Sequence, residues 1–427
     1  MWTKQIPYLN ALRQKAAASG EPLKFTASVW TPPGYMKSEG STTGGYLLPS
    51  YYNEYAEYLM DFIDEFETQV GAPLYALSPQ NEPGFCFGYN SSCSMPAEFS
   101  QEVKAVAAVF DQNSVATKIH YADIVWWPDW LGQCVRIIKD DPVANRACPI
   151  LSIHYSDGNE AANLSGNQEC SGYLDLVGRS THRLWNTEFG GQYDSWTQTG
   201  AEGNAWEFAN NLFTCLKYDY SAVIYWQLCE GHHDNVADDH YSLFYHNSNV
   251  PSPGPLFRVM QTFSRYIRPG AVRVGATSTD NNVWCIAFKH AVQQTVTVVM
   301  LNRNSSPVEA QVSGSGLPSQ MNAYQTSPSQ NCVNIGSVAP GATITLPVKS
   351  VTTLSNTPLP TSLQRPASVR TAVPATAALT AQVYRIDGRL LPAPENGRNL
   401  TGDNAAAPGI YYVGSDNGVK GRLKAAY

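Results

Sequence analysis

Between residues 23 and 228 the chain alternates short apolar runs with longer stretches whose apolar positions recur every three or four residues. The runs are "KFTASVW", "PLYALSPQ", "TKIHYAD", "ILSIHYS", "RLWNTEF" and "AVIYWQL". A short apolar run reads as a strand buried on both faces, and strands alternating with amphipathic helices read as a parallel sheet with helical cover. After the first run, Tyr52, Tyr55, Leu59, Phe62 and Phe66 form one apolar stripe along a helix, and "EFANNLFTCLKY" and "PLFRVMQTFSRYI" repeat the pattern. The expected class is α/β, a (β/α)8 TIM barrel. Such a barrel needs about 250 residues and eight strands, yet only six runs are present. A helix at residues 4 to 18 leads directly into the first run, so the first two strand-helix units are expected to be missing.

Past "RYIRPGAVRVGAT" the period changes to two, in "NVWCIAFKH", "TVTVVMLNRN", "EAQVSGSG" and "ATITLPVKSVTTL". Alternation with frequent turn residues predicts a small antiparallel β-sandwich beside the barrel. Residues 356–376, rich in Pro, Ser, Thr and Ala, read as an extended linker. The remainder has strand pairs joined by Asp-Gly and Asn-Gly turns, a separate all-β module. The expected domains are a barrel over 1–268, a sandwich over 269–355, the linker, and a module over 377–427.

Composition narrows the functional classes. The chain has 427 residues, 43% of them hydrophobic and 15% charged, enough for one large core and small satellites. A net charge of -7, with Lys and Arg scattered, offers no basic surface for nucleic acid or anionic lipid. No stretch reaches the ~18 apolar residues of a membrane span, and the amino terminus lacks the apolar centre of a signal peptide. Ten Trp and 24 Tyr suit stacking on the flat faces of sugar rings. The nine cysteines show no zinc-site spacing. Cys86 with Cys93, and Cys134 with Cys148, bracket short loops and are candidates for local disulfides in an oxidising compartment.

Two of the strands end in a glutamate: "LSPQNEP" gives Glu82 and "LWNTEFGG" gives Glu188. Strand ends of a parallel barrel converge on one face, so the two acids can meet across a pocket. Hydrolysis of a glycosidic bond needs such a pair, one carboxyl to protonate the leaving oxygen and one carboxylate to attack the anomeric carbon. His154 and Tyr155 end the "ILSIHY" run. Trp30 and Trp226, at the ends of the first and last runs, are candidate walls for a sugar. A hydrogen bond to Glu188 is expected to keep its pKa low, while that charge raises the pKa of Glu82.

The segments "SVWTPPGYMKSEGSTTGGYL", "SPQNEP", "WNTEFGG", "YWQLCEG" and "FSRYIRPGAVRV" together resemble glycoside hydrolase family 30, a retaining family of the large TIM-barrel clan, over residues 1 to about 355. The resemblance implies that Glu82 is the acid/base, Glu188 the nucleophile, and Asn81 the residue that holds the sugar 2-hydroxyl. It implies that His154 and Tyr155 lie where the clan keeps groups that touch the nucleophile. It also implies an arginine near the nucleophile, from the second strand-helix unit, which is absent here. Members that require a glucuronic acid branch hold it with an arginine in the loop after the last barrel strand. Here that loop carries Glu230, Asp234, Asp238 and Asp239 and no Lys or Arg before Arg258, so cleavage independent of glucuronate is expected. "HHD" and "DDH" in it match no ligand motif and read as a polar pocket rim; no metal or other cofactor is expected.

The last module, with "VYRIDGRLL" and "APGIYYV", resembles the carboxyl-terminal sorting modules of secreted Bacteroidetes and Fibrobacter proteins, which implies a secreted or cell-surface location. The combined expectation is a monomeric, retaining endo-glycosidase on a plant cell-wall polysaccharide, β-1,4-xylan above all. The alternatives are a β-1,6-galactanase or β-1,6-glucanase and, from another class, an inactive glycan-binding or scaffold protein.

Overall fold

A computed structural model describes residues 2–18, 20, 23–85, 88–125, 127–154, 160–190, 193–198, 203–228, 242–245, 252–358, 381–384, 410–415 and 422–425. All six apolar runs are strands: β1 (Phe25–Ser28), β2 (Leu74–Ser78), β3 (Lys118–Val125), β4 (Ile150–His154), β5 (Arg183–Phe189) and β6 (Tyr220–Tyr225). They pair in parallel and in chain order, making one open sheet with β1 and β6 at its edges. Six strands in sequence order match the expected barrel less two units. Central β3 and β4 are buried along nearly their whole length, whereas edge strand β6 is half-buried from Ala222 onward. That is the pattern of a parallel sheet covered only where it has neighbours.

The covering helices follow from their stripes. Helix α1 (Trp2–Ala18) precedes β1 and keeps much of its surface in solvent, Tyr8 and Leu12 included. Helix α2 (Tyr52–Val70) buries Tyr55, Leu59, Ile63 and Phe66, and ends on Gly71, whose positive φ supplies the left-handed cap. Helix α3 (Pro96–Gln112) opens on a proline, which has no N–H to leave unsatisfied. Helices α4 (Pro128–Ile138), α5 (Pro142–Ala147), α6 (Glu160–Val177), α7 (Ala205–Lys217) and α8 (Pro255–Ser264) complete the cover, with a two-stranded pair, β7 (Phe244–Tyr245) and β8 (Ser252–Pro253), before α8. No helix among the described residues is long and apolar enough to cross a membrane.

The antiparallel part has one six-stranded sheet in the order β14-β13-β16-β11-β10-β9 and a two-stranded sheet of β12 with β15. Its strands are β9 (Val272–Val274), β10 (Val283–His290), β11 (Thr295–Asn302), β12 (Val308–Gln311), β13 (Met321–Ser327), β14 (Gln330–Val338), β15 (Thr343–Leu346) and β16 (Ser350–Ser355). The hydroxyls of Thr262 on α8 and Thr326 on β13 bond across the join, and Ile286, Val299 and Val351 extend the barrel's hydrophobic core into the sandwich. A second compact unit, Thr361–Tyr427, contains antiparallel β17 (Ala381–Tyr384), β18 (Ile410–Ser415) and β19 (Arg422–Ala425). Nearly all of the predicted linker lies outside the described residues.

One expectation is overturned. Cys134 and Cys148 are free, fully buried thiols; Cys134, on α4, donates to the Pro96 carbonyl of α3 at 3.7 Å. Bracketing a short loop says nothing of the direction in which two side chains point. Cys86 lies outside the described residues, so its pairing stays an expectation.

Helix α3 also carries a charge problem. Glu102 is 1% exposed, one of its carboxylate oxygens has no hydrogen-bond partner, and burial raises its pKa to about 8. The folded chain therefore holds this proton at pH values where an unfolded glutamate has lost it, so stability present at low pH declines as pH rises toward 8. Glu102→Gln removes the ionisation. Thermal melts are expected to show the variant gaining about 1 to 3 kcal/mol over the parent at pH 9 and little at pH 4; equal gains at both would contradict a titrating Glu102.

Candidate active site

The carboxyl ends of the parallel strands carry the candidate residues. Asn81 and Glu82 follow β2, His154 closes β4 and Glu188 lies near the end of β5. A carboxylate oxygen of Glu82, one of Glu188 and a ring nitrogen of His154 all lie within 4.8 Å of one another. Both glutamates are mostly buried, with 15% and 20% of their side chains exposed. Two acids more than a hundred positions apart in the chain are thus brought together, as the strand-end reading expected.

Main-chain irregularity aims them. Glu82 has a φ of 45°, a left-handed conformation unusual for a residue with a side chain. Its N–H donates to the carbonyl of Asp123 at 2.9 Å. Asp123 has a φ of 57° and is the extra residue where the β3–β4 register shifts between Ala122 and Ile124. A bulge of this kind turns one side chain out of the ordinary alternation. It turns Asp123 toward the interior, where it is 0% exposed.

His154 sits between the acids. Its Nδ1 is 3.0 Å from Glu82 Oε1 and 3.7 Å from Glu188 Oε2, and its Nε2 is 3.3 Å from Asp123 Oδ1. Burial by itself lowers the pKa of His154, but the Asp123 charge and hydrogen bond, the bond to Glu82 and the Glu188 charge together raise it to about 10. The ring is therefore a cation at neutral pH and donates from both nitrogens.

The expected low pKa of Glu188 is not found. Burial and then the Asp123 and Glu82 charges push it up to about 7, against the pull of His154. Burial is the main reason, and the imidazole, which donates to Glu82 and not to Glu188, does not offset it. Below about pH 7 Glu188 therefore keeps its proton.

An aromatic wall flanks the pair. Trp30 and Trp226 meet with ring centroids 5.8 Å apart, and Trp30 packs on Tyr89 at 5.4 Å. The Tyr89 hydroxyl donates to Glu82 Oε2 at 2.8 Å. Asn81 is 4% exposed, and its Oδ1 has no hydrogen-bond partner. Tyr155 lies outside the described residues, as do Glu230, Asp234, Asp238 and Asp239. Sequence reading missed Asp123 and Tyr89. The signal for Asp123 was an acid inside an otherwise apolar run; for Tyr89 there was none.

Comparison with known proteins matches residues 2–105 to the glycosyl hydrolase family 30 TIM-barrel domain and residues 270–354 to the glycosyl hydrolase family 30 beta sandwich domain. The glucuronoxylanase XynC of Bacillus subtilis is 26% identical over 71% of this chain and 66% of its own length. The lysosomal acid glucosylceramidase of Mus musculus is 22% identical over 72% of this chain and 61% of its own. The chain thus spans less than two thirds of either relative. The crystal structure of the family 30 subfamily 8 xylanase Xyn30A from Clostridium acetobutylicum superposes with a TM-score of 0.63 at 25% identity, covering 81% of this chain and 82% of that one.

Proposed function

We propose that the chain, whose residues 2–105 and 270–354 match the barrel and beta sandwich domains of glycosyl hydrolase family 30, is a retaining endo-glycosidase acting on β-1,4-xylan. The observation that carries the reaction class is the carboxylate pair within 4.8 Å. Retaining enzymes hold their carboxyl groups about 5 to 5.5 Å apart, whereas inverting ones leave about 6.5 to 9.5 Å for a water. The xylanase relatives support xylan as the substrate, and a polymer that cannot enter a cell supports action outside it.

In this reading Glu82 protonates the leaving oxygen while Glu188 attacks the anomeric carbon, and Glu82 then takes a proton from the water that hydrolyses the glycosyl-enzyme. Glu82 must be protonated and Glu188 ionised when the bond breaks. Positive charge growing at the anomeric carbon favours the Glu188 anion. The unpartnered Asn81 Oδ1 accepts from the sugar 2-hydroxyl, and Trp30 and Trp226 wall the ring nearest cleavage.

The test is release of reducing ends by the purified chain on unsubstituted xylan, glucuronoxylan, β-1,6-glucan, β-1,6-galactan and an aryl β-glucoside. The expected result is equal cutting of both xylans. The mouse relative, named for glucosylceramide, gives the glucoside arm its purpose: cutting there or on a β-1,6 polymer, without xylan, moves the substrate. Binding of these glycans with no cutting of any supports a scaffold instead.

A further inference from the structure

The strongest unassigned feature is the buried carboxylate of Asp123. A wholly buried anion is costly unless it is paired and hydrogen-bonded. Ser28 Oγ, on β1, donates to its Oδ2 at 2.6 Å, and Thr187 Oγ1, on β5, donates to its Oδ1. His154 on β4 meets Oδ1 at 3.3 Å, and His120, on β3 itself, lies at 3.6 Å. His120 is tied in turn to Ser152 and to the Ala27 carbonyl, both at 3.1 Å. Four of the six parallel strands, β1, β3, β4 and β5, thus spend polar groups on one wholly buried residue.

We infer that Asp123 is the positioning residue of the site: it holds His154 as a cation against Glu82 and Glu188, and holds the Glu82 main chain through its own carbonyl. The inference rests on the acid-pair reading above. Two links converge on Glu82. One runs from the Asp123 carboxylate through both nitrogens of His154 to Glu82 Oε1, and the other is the direct bond from the Glu82 N–H to the Asp123 carbonyl. The groups facing His154 are Asp123, Glu82 and Glu188, so His154 is the positive charge set among three acids. Asp123 touches no substrate in this arrangement, and its effect on the reaction passes through His154.

Depressed ionisation of Asp123 agrees with this. Burial alone raises its pKa, and the charges and hydrogen bonds of His120 and His154 lower it well below the usual carboxylate range. The carboxylate is therefore present across the working pH range, and removing it withdraws charge from His154 without opening a cavity.

Asp123→Asn keeps the shape and removes the charge. The His154 ring, followed by nitrogen NMR of the full chain across pH, is expected to lose its proton about 1 to 3 pH units earlier in the variant than in the parent. On xylan, kcat is expected to fall about 10²-fold with little change in KM. Thr187→Val removes one bond to Asp123 but not its charge, and is expected to leave the His154 midpoint in place. An unchanged midpoint in Asp123→Asn overturns the inference, as does a moved midpoint with kcat intact. If Asp123→Asn folds, the double variant with His154→Gln should be no slower than His154→Gln alone, and additive losses refute the coupling. If it does not fold, His154→Gln alone decides, and a kcat unchanged from the parent refutes the inference. A parent that is silent on every glycan while the ring midpoint moves refutes the proposed function and leaves the Asp123–His154 link standing.

Discussion

Glu188→Ala is expected to abolish xylan cleavage, with a loss of roughly 10⁴-fold or more. Added azide should restore part of it, giving a glycosyl azide of inverted configuration. The small anion enters the space left by the carboxylate and attacks the anomeric carbon from that side, while Glu82 still protonates the leaving oxygen. Rescue on the Glu82 side instead would exchange the two roles. The neutral isostere Glu188→Gln carries a second consequence. The folded pKa of about 7 lies above the ordinary 4.5, so the folded state keeps a proton that the unfolded chain releases. The stability this contributes is full below pH 4.5 and is lost as pH rises through 7. The isostere escapes that loss, and denaturant melts at pH 8 should find it more stable than the parent by about 1 to 3 kcal/mol, though dead.

Glu82→Gln should cost less on some substrates than on others. With xylan, whose leaving sugar is a poor alkoxide, kcat should fall about 10²- to 10⁴-fold. With an aryl glycoside bearing an acidic phenol, the first step needs no proton donor, so the glycosyl-enzyme forms at close to the parent rate and accumulates. A burst of phenol followed by slow turnover is the expected trace. A uniform loss on both substrates would show that Glu82 holds the site together and transfers no proton. In the parent, Glu188 must be ionised to attack, so kcat/KM should fall as pH drops through about 7.

These two residues were visible in sequence because strand ends of a parallel sheet converge. An apolar run that stops at Asn81, Glu82 and Pro83 declares both the strand and its active end. The six strands were visible for the same reason, being buried enough to be continuous in hydrophobicity. Strands β13 and β14 were not. Met321–Ser327 buries Thr, Gln and Ser beside its apolar groups, and Gln330–Val338 is an edge strand largely in solvent, so neither alternates cleanly. The ionisation of Glu188 was misread for a finer reason. It depends on which of two carboxylates His154 approaches at 3.0 Å and which at 3.7 Å, and no sequence pattern encodes such a difference. Asp123 escaped because a bulge, set by backbone pairing, decides where that one side chain points.

The acids and the residues that orient them hang on strands, bulge and main-chain hydrogen bonds, whereas Trp30, Tyr89 and Trp226 stand on the segments that follow β1, β2 and β6. On the proposed reading, reaction and recognition therefore sit on separate parts of the chain. A lineage can exchange its rim, one loop at a time, and keep the same cleavage chemistry running beneath each new clientele. Relatives named as a glucuronoxylanase and as an acid glucosylceramidase are the outcome such a division of labour permits. For an engineer the same partition marks the loops as the place to diversify and the bulged strand as the place to leave alone.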